Sequence, residues 1–200
     1  MDSGQKIDVW ALRTNCNKDL VLRTEIDYFQ THFIGEKMSH HWTPPPIRIQ
    51  GKSKRLRDFV SWMLSAPVVS QRAKEVLEPL IAPYVEILPL IQLRGKQYHA
   101  INVLRLVNCL DRKRSNIEYS PTDPSRIIYL GETFFLKSRL EDVPLFMIPE
   151  TRSDVYVTRP FVDLVIKNKL AGAAFADPSK NPFEAILRGE SSNVVPRVPE

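Results

Sequence analysis

VEILPLIQLRGKQYHAINVLRLV, residues 85–107, decides the fold of this chain. VEILPLIQL and YHAINVLRLV both read as strands, and only RGKQ separates them. A short glycine-containing link between two such runs predicts a β-hairpin. Pro89, in the first run, has no amide hydrogen to give a ladder and predicts a bulge or an edge position. Asn102, polar among apolar letters in the second run, predicts an inward or cross-strand hydrogen bonder.

Working outward, VSQRAKEVLEPLI before the hairpin predicts a helix with Ser70 at or near its start. Val69, Ala73, Val76, Leu77 and Leu80 give it one apolar face, and Pro83 helps to stop it. DFVSWML is a short apolar element, IDVWAL alternates like a strand, and VLRTEIDYF reads as a strand or an extended arm. After the hairpin, NIEY, RIIYL, TFFLK, PLFMI and DVYVT read as strands divided by Asp, Pro, Gly and Ser clusters. RPFVDLVIKNKL predicts a second helix with Phe161 and Val165 inward, joined by Leu164 or Ile166, and LAGAAF a last strand. There is no alternation of strand and helix. The expected fold is therefore α+β, a mostly antiparallel sheet with two main helices packed on it. Residues 30–57, with three consecutive prolines, are expected to make a long excursion. The division expected is 1–57 for N-terminal strands and a basic, proline-rich, partly extended excursion, 58–180 for the α+β core domain, and 181–200 for a loose tail.

At 200 residues the chain is one domain by default and buries roughly 70% of its unfolded surface without metal or disulfide. Its two cysteines, Cys16 and Cys109, make no framework and fit the cytosol. The start, MDSGQKIDVW, has no leader pattern, and no apolar run approaches the roughly 18 residues of a membrane span. The expectation is a cytoplasmic protein without a membrane segment. The net charge is +5, and six basic residues (Lys37, Arg48, Lys52, Lys54, Arg55, Arg57) lie between positions 37 and 57 with no acid among them. Such a block meets nucleic acid, meets an acidic protein face, or is simply solvated.

Cys109 lies near His99 and Asp111, which raises the question of a thiol nucleophile. Ten residues of extended chain separate the cysteine from the histidine, about 33 Å. A nucleophile and its base must come within about 3 Å. Asp111 without an imidazole raises a thiol pKa instead of activating it. Cys109 therefore reads as a small buried apolar residue, while His32, His40 and His41 can reach it only through tertiary folding. QGKS at 50–53 lacks the glycine a phosphate loop needs at position 46, which is Pro46. Adjacent His40 and His41 have the wrong spacing for metal and no Cys or acid partner nearby. Glu141 and Asp142 read as loop solvation. Tyr119 and Tyr129 with Arg112, Lys113 and Arg114 fit a stacking surface for single-stranded nucleic acid, or a core and a turn. Asp111 and Ser115 flank the RKR of that turn and are expected to cap it. No catalytic residue, cofactor or metal is assigned, and the chain is not expected to be an enzyme.

From about Asp58 to Pro178 the order of elements resembles a bacterial immunity-protein family of polymorphic toxin systems, immunity protein family eleven. The likeness is carried by PVVSQRAKEVL at 67–77, VEILPL at 85–90, YHAINVL at 98–104 and CLDRKRS at 109–115. PLFMI at 144–148, VTRPF at 157–161 and AGAAF at 171–175 complete it. It implies an α+β protein that binds and neutralises a cognate toxin domain. The pI of 9.2 departs from the acidic character of many nuclease inhibitors. The partner is expected to meet Trp42, Arg48, Lys54 and Arg55 in the excursion and Arg112, Lys113 and Arg114 in the turn. The alternative function is a nucleic-acid-binding module using the basic 37–57 segment. A small-molecule substrate is not expected.

Overall fold

The computed structural model describes residues 9–14, 20–24, 33–50, 56–62 and 66–180. In chain order the elements are β1 (Val9–Thr14), β2 (Val21–Arg23), β3 (Arg48–Gln50), β4 (Phe59–Trp62), β5 (Val68–Ser70), α1 (Gln71–Ile81) and β6 (Val85–Leu93). They continue with β7 (Lys96–Val103), β8 (Ile117–Tyr119), β9 (Ile127–Leu130), β10 (Leu145–Ile148), β11 (Thr151–Thr158), α2 (Arg159–Lys167) and β12 (Ala173–Ala176).

The predicted hairpin is β6–β7, in register from Val85↔Val103 to Leu93↔Lys96. Its link is shorter than RGKQ. Arg94 and Gly95 suffice, both at positive φ (49° and 78°), the signature of the two-residue turn that matches strand twist. The second strand also ends earlier than its apolar run, at Val103. Beyond it Leu104 donates to Tyr84 O, and Leu106 forms a parallel bridge with Met147. Apolar letters alone do not distinguish these two uses of the backbone. The register of β6 shifts between Pro89 and Ile91, and β6 is a sheet edge, so Pro89 occupies both positions its chemistry favours.

Two main sheets result. The order β10-β11-β1-β12 is antiparallel throughout, and β3-β2-β4-β5-β7-β6 is antiparallel except where β2 meets β4. β8 and β9 form a two-stranded ribbon of their own. The fold is α+β and sheet-dominated, as the element order implies. TFFLK is not a strand. Phe135 makes one bridge to Leu110, and the chain then turns through Lys137–Arg139.

Helix α1 starts where Ser70 Oγ accepts the Ala73 amide at 3.2 Å. It buries Ala73, Leu77 and Ile81, with Val76 and Leu80 packed at the margin. Helix α2 buries Phe161, Val162 and Val165, and Leu164 and Ile166 are only partly covered. α2 stops three residues short of its apolar pattern. Lys169 turns left-handed (φ 51°), Leu170 N–H reaches Val165 O at 3.0 Å, and Lys169 N–H reaches Ile166 O at 2.9 Å. This pair of bonds closes the helix in a Schellman motif.

The first core lies between the helices and both main sheets, around Phe59, Leu77, Ile101, Val157 and Phe161. A second gathers Leu22, Trp62, Leu88 and Tyr98 with Phe33 and Met38. Phe33 and Met38, with Trp42 and Ile47 partly covered, thus anchor a segment whose other residues are mostly exposed. The third core, under the β8–β9 ribbon, contains Cys109, Leu110, Phe146 and Tyr156. There Phe135 meets Phe146 and Tyr156 edge-on at centroid distances of 5.7 and 4.9 Å.

Candidate partner-binding surface

Cys109 is 0% exposed within the third core. Burial first, and the Glu150 carboxylate second, push its thiol up to about 12, against weaker pulls from its own backbone hydrogen bond and Arg139. At neutral pH it carries no thiolate, and the thiolate is the nucleophile. His99 sits elsewhere, on β7, where its Nε2 donates to Gln71 Oε1 of α1 at 2.6 Å. Burial, then Lys74, lower its pKa, against an opposing pull from Glu78. Asp111 caps the turn that follows Cys109. Cysteine, histidine and aspartate thus serve three separate structural tasks. His40 and His41 belong to a short 3-10 turn with His41 Nδ1 2.8 Å from His40 Nε2. Among the described residues no group of three or more His, Cys, Asp or Glu side chains is placed to hold a metal ion.

A cavity of about 410 Å3 opens between the start of α1 and the β6–β7 turn. Two of its charged residues, Asp58 and Arg72, are already engaged in the fold. Asp58 accepts from Ser70 Oγ (2.9 Å), Arg72 Nη1 (2.8 Å) and the Ala171 amide (2.9 Å), and Arg72 Nη2 reaches Asn168 O at 2.6 Å.

The excursion residues divide. Lys54 and Arg55 lie outside the described residues. Trp42 is half-buried: its Nε1–H donates to Pro89 O at 2.7 Å, and its ring meets Phe33 edge-on at 5.8 Å. Glu86 of β6 holds the same segment. Its carboxylate accepts from Met38 N–H (2.8 Å), Ser39 Oγ (2.6 Å), Ser39 N–H (3.3 Å) and Asn102 Nδ2 (3.0 Å). Burial alone would raise the Glu86 pKa; the bonds from Ser39, Met38 and Asn102 outweigh it and hold the group below its ordinary value. Segment 33–42 is therefore a cover clamped over the β6 edge, which a bare edge strand requires. Arg48 stands exposed on β3, the opposite edge of the sheet, beside Ile49 at 53% exposure.

The 112–114 turn has the fold expected of it. Asp111 O accepts from Arg114 and Ser115 amides at 3.2 and 3.0 Å, and Asp111 Oδ1 accepts the Lys113 amide at 3.2 Å. Ser115 does its capping across the turn, bonding the Phe134 backbone instead. The three basic side chains differ in what they can offer. Arg112 pairs with Glu150 at 2.7 Å, and its Nη1 donates to the Tyr119 hydroxyl at 3.2 Å. The Glu150 side chain is 4% exposed, so Arg112 neutralises a buried carboxylate while keeping half of its own surface in solvent. Arg114 lies 4.4 Å over the Phe134 ring. Lys113 points outward.

Sequence reasoning missed Glu86 and Glu150. Glu86 left a signal, a lone charge inside an apolar strand run. Glu150 left none, since its partner Arg112 is 38 positions away.

The model of the Immunity protein family (Imm11) matches residues 35–180. The match spans most of the clamped segment, the hairpin, both helices and the turn. The chain belongs to this immunity protein family. No curated protein matches it. No helix among the described residues is long and apolar enough to cross a membrane.

Proposed function

We propose that this chain protects the cytoplasm of its host cell by binding a cognate toxin domain and silencing it through protein–protein association. The observation that carries the reading is the family match across residues 35–180. Chemistry at the one thiol the sequence singled out is unsupported, because Cys109 is sealed in a core and protonated. Association either covers the toxin's active site or holds the toxin in an inactive shape. A stable complex of this kind buries about 1,200–2,000 Å2 and centres on aromatic or arginine anchors.

Co-expression tests this directly. The toxin domain encoded beside this chain is lethal alone and harmless with it, and the two purify as one complex. Rescue without a complex would replace association by another mechanism, and no rescue would remove the immunity reading. The rival, nucleic-acid binding through the basic 37–57 segment, predicts DNA or RNA retention that falls steeply with salt. A gel-shift series that shows only weak, sequence-independent retention eliminates it.

A further inference from the structure

Four large hydrophobic side chains among the described residues are markedly exposed: Ile49, Tyr119, Ile128 and Leu136. Two of them, Tyr119 and Ile128, lie on the paired strands of the β8–β9 ribbon, beside the irregularity in its ladder. Single exposed apolar residues need no explanation, but clustered ones mark interaction sites. Ile128 is the most exposed, at 55%. Cross-strand partners run Glu118↔Tyr129 and then Tyr119↔Ile127, so Ile128 is the extra residue of a β-bulge. A bulge re-aims a side chain. The fold has no use for this one, since Ile117 and Leu130 already supply the ribbon's packing onto the third core.

The charge around the ribbon leans basic, although Glu150 balances Arg112. Residues 112–139 contain six basic and three acidic side chains. Of the acids, Asp123 is turned onto Ser125, accepting its amide at 3.0 Å and its hydroxyl at 2.6 Å. Arg112 binds the Tyr119 hydroxyl, which places the RKR turn directly beside the exposed aromatic. An apolar centre of tyrosine and isoleucine with an arginine and lysine rim has the composition of an interface centre. Both strands of the ribbon are edges of a two-stranded sheet.

We propose that the β8–β9 ribbon, with Ile128 and Tyr119 at the centre and Lys113 with its arginine neighbours at the rim, is the docking surface for the toxin domain. Its counterpart is an apolar patch on the toxin bordered by Asp and Glu side chains. This inference rests on the reading of the chain as a toxin-binding immunity protein. Arg112 is a poor probe, because its removal strands the buried Glu150 charge. Ile128 and Lys113 are clean probes, because the fold does not depend on either side chain.

The test is titration of the full chain, and of Ile128→Asp, Lys113→Glu and the control Ile49→Asp, with the neighbouring gene's toxin domain, itself inactivated at its own active site. Urea midpoints equal to that of the unsubstituted chain establish that each variant is folded. Ile128→Asp is expected to weaken binding about thirtyfold or more, as for a central anchor. Lys113→Glu is expected to slow association and reduce its salt dependence. Ile49→Asp is expected to bind like the unsubstituted chain. If that chain binds the toxin and Ile128→Asp and Lys113→Glu bind equally well, the docking surface is refuted while the function stands. If it does not bind, both fall together. If Ile128→Asp instead abolishes self-association and keeps toxin affinity, the patch belongs to a second copy of this chain and the inference is overturned.

Discussion

Glu86 shows how much one carboxylate can organise. It lies on an edge strand, and its acceptors take two amide hydrogens at the start of the Ser39–His41 turn, a hydroxyl and the Asn102 amide. No side chain of the turn itself caps it. Glu86 therefore acts as a cap from 47 positions away. Replacement by glutamine keeps the shape and loses the charge, and should cost about 1–2 kcal/mol at neutral pH. The pH dependence follows from the lowered folded pKa. The stabilisation is fully present above the unfolded-state value, near pH 4.3, and is lost as pH falls through the lower folded value. Urea midpoints of the two proteins should therefore differ at pH 7 and converge in acid. A difference that grows on acidification contradicts the assignment.

Among the elements, the hairpin and both helices were legible because each depends on near neighbours. Pro89 marked its bulge by chemistry that operates at one residue, and Ser70 capped α1 from three positions away. What the sequence concealed depends on distant partners. TFFLK has strand letters but receives only one bridge, since Leu110 is its sole neighbour in pairing. The end of α2 was hidden for a different reason. Helices that close in a Schellman motif commonly use glycine at the left-handed position, and this one uses Lys169. A side chain there is strained and contributes nothing visible to the core, since Lys169 is exposed. Lys169→Gly should therefore stabilise the protein by about 0.5–1 kcal/mol, after the greater freedom of glycine in the unfolded chain is set against the relief. Thermal unfolding reads this as a small rise in midpoint, and a fall would mean that the lysine makes a contact of consequence.

Across the whole molecule, β4 of one main sheet is tied to β1 and to the chain before β12 of the other. Phe59 N–H of β4 donates to Ala171 O at 2.8 Å, and Ser61 Oγ of β4 reaches Thr14 Oγ1 of β1 at 2.6 Å. Gly172, at φ 101°, lies so close to the Phe59 carbonyl that a Cβ would overlap it, and that neighbour is backbone. Gly172→Ala should cost about 3–5 kcal/mol through strain and displacement of β4. Denaturant unfolding checks this, and a loss under about 1 kcal/mol would show that the contact is pliant. Of the candidate surface, the turn could be read from RKR between its flanking Asp and Ser. The inward use of Trp42 could not, because nothing nearby in sequence announces the Pro89 carbonyl it binds.

The β8–β9 ribbon is joined to the rest through the third core and shares no ladder with either main sheet. Its outward letters can change without disturbing the register of the other ten strands among the described residues. Under the docking proposed above, that separation would let the toxin-facing letters vary while the scaffold goes on folding as before.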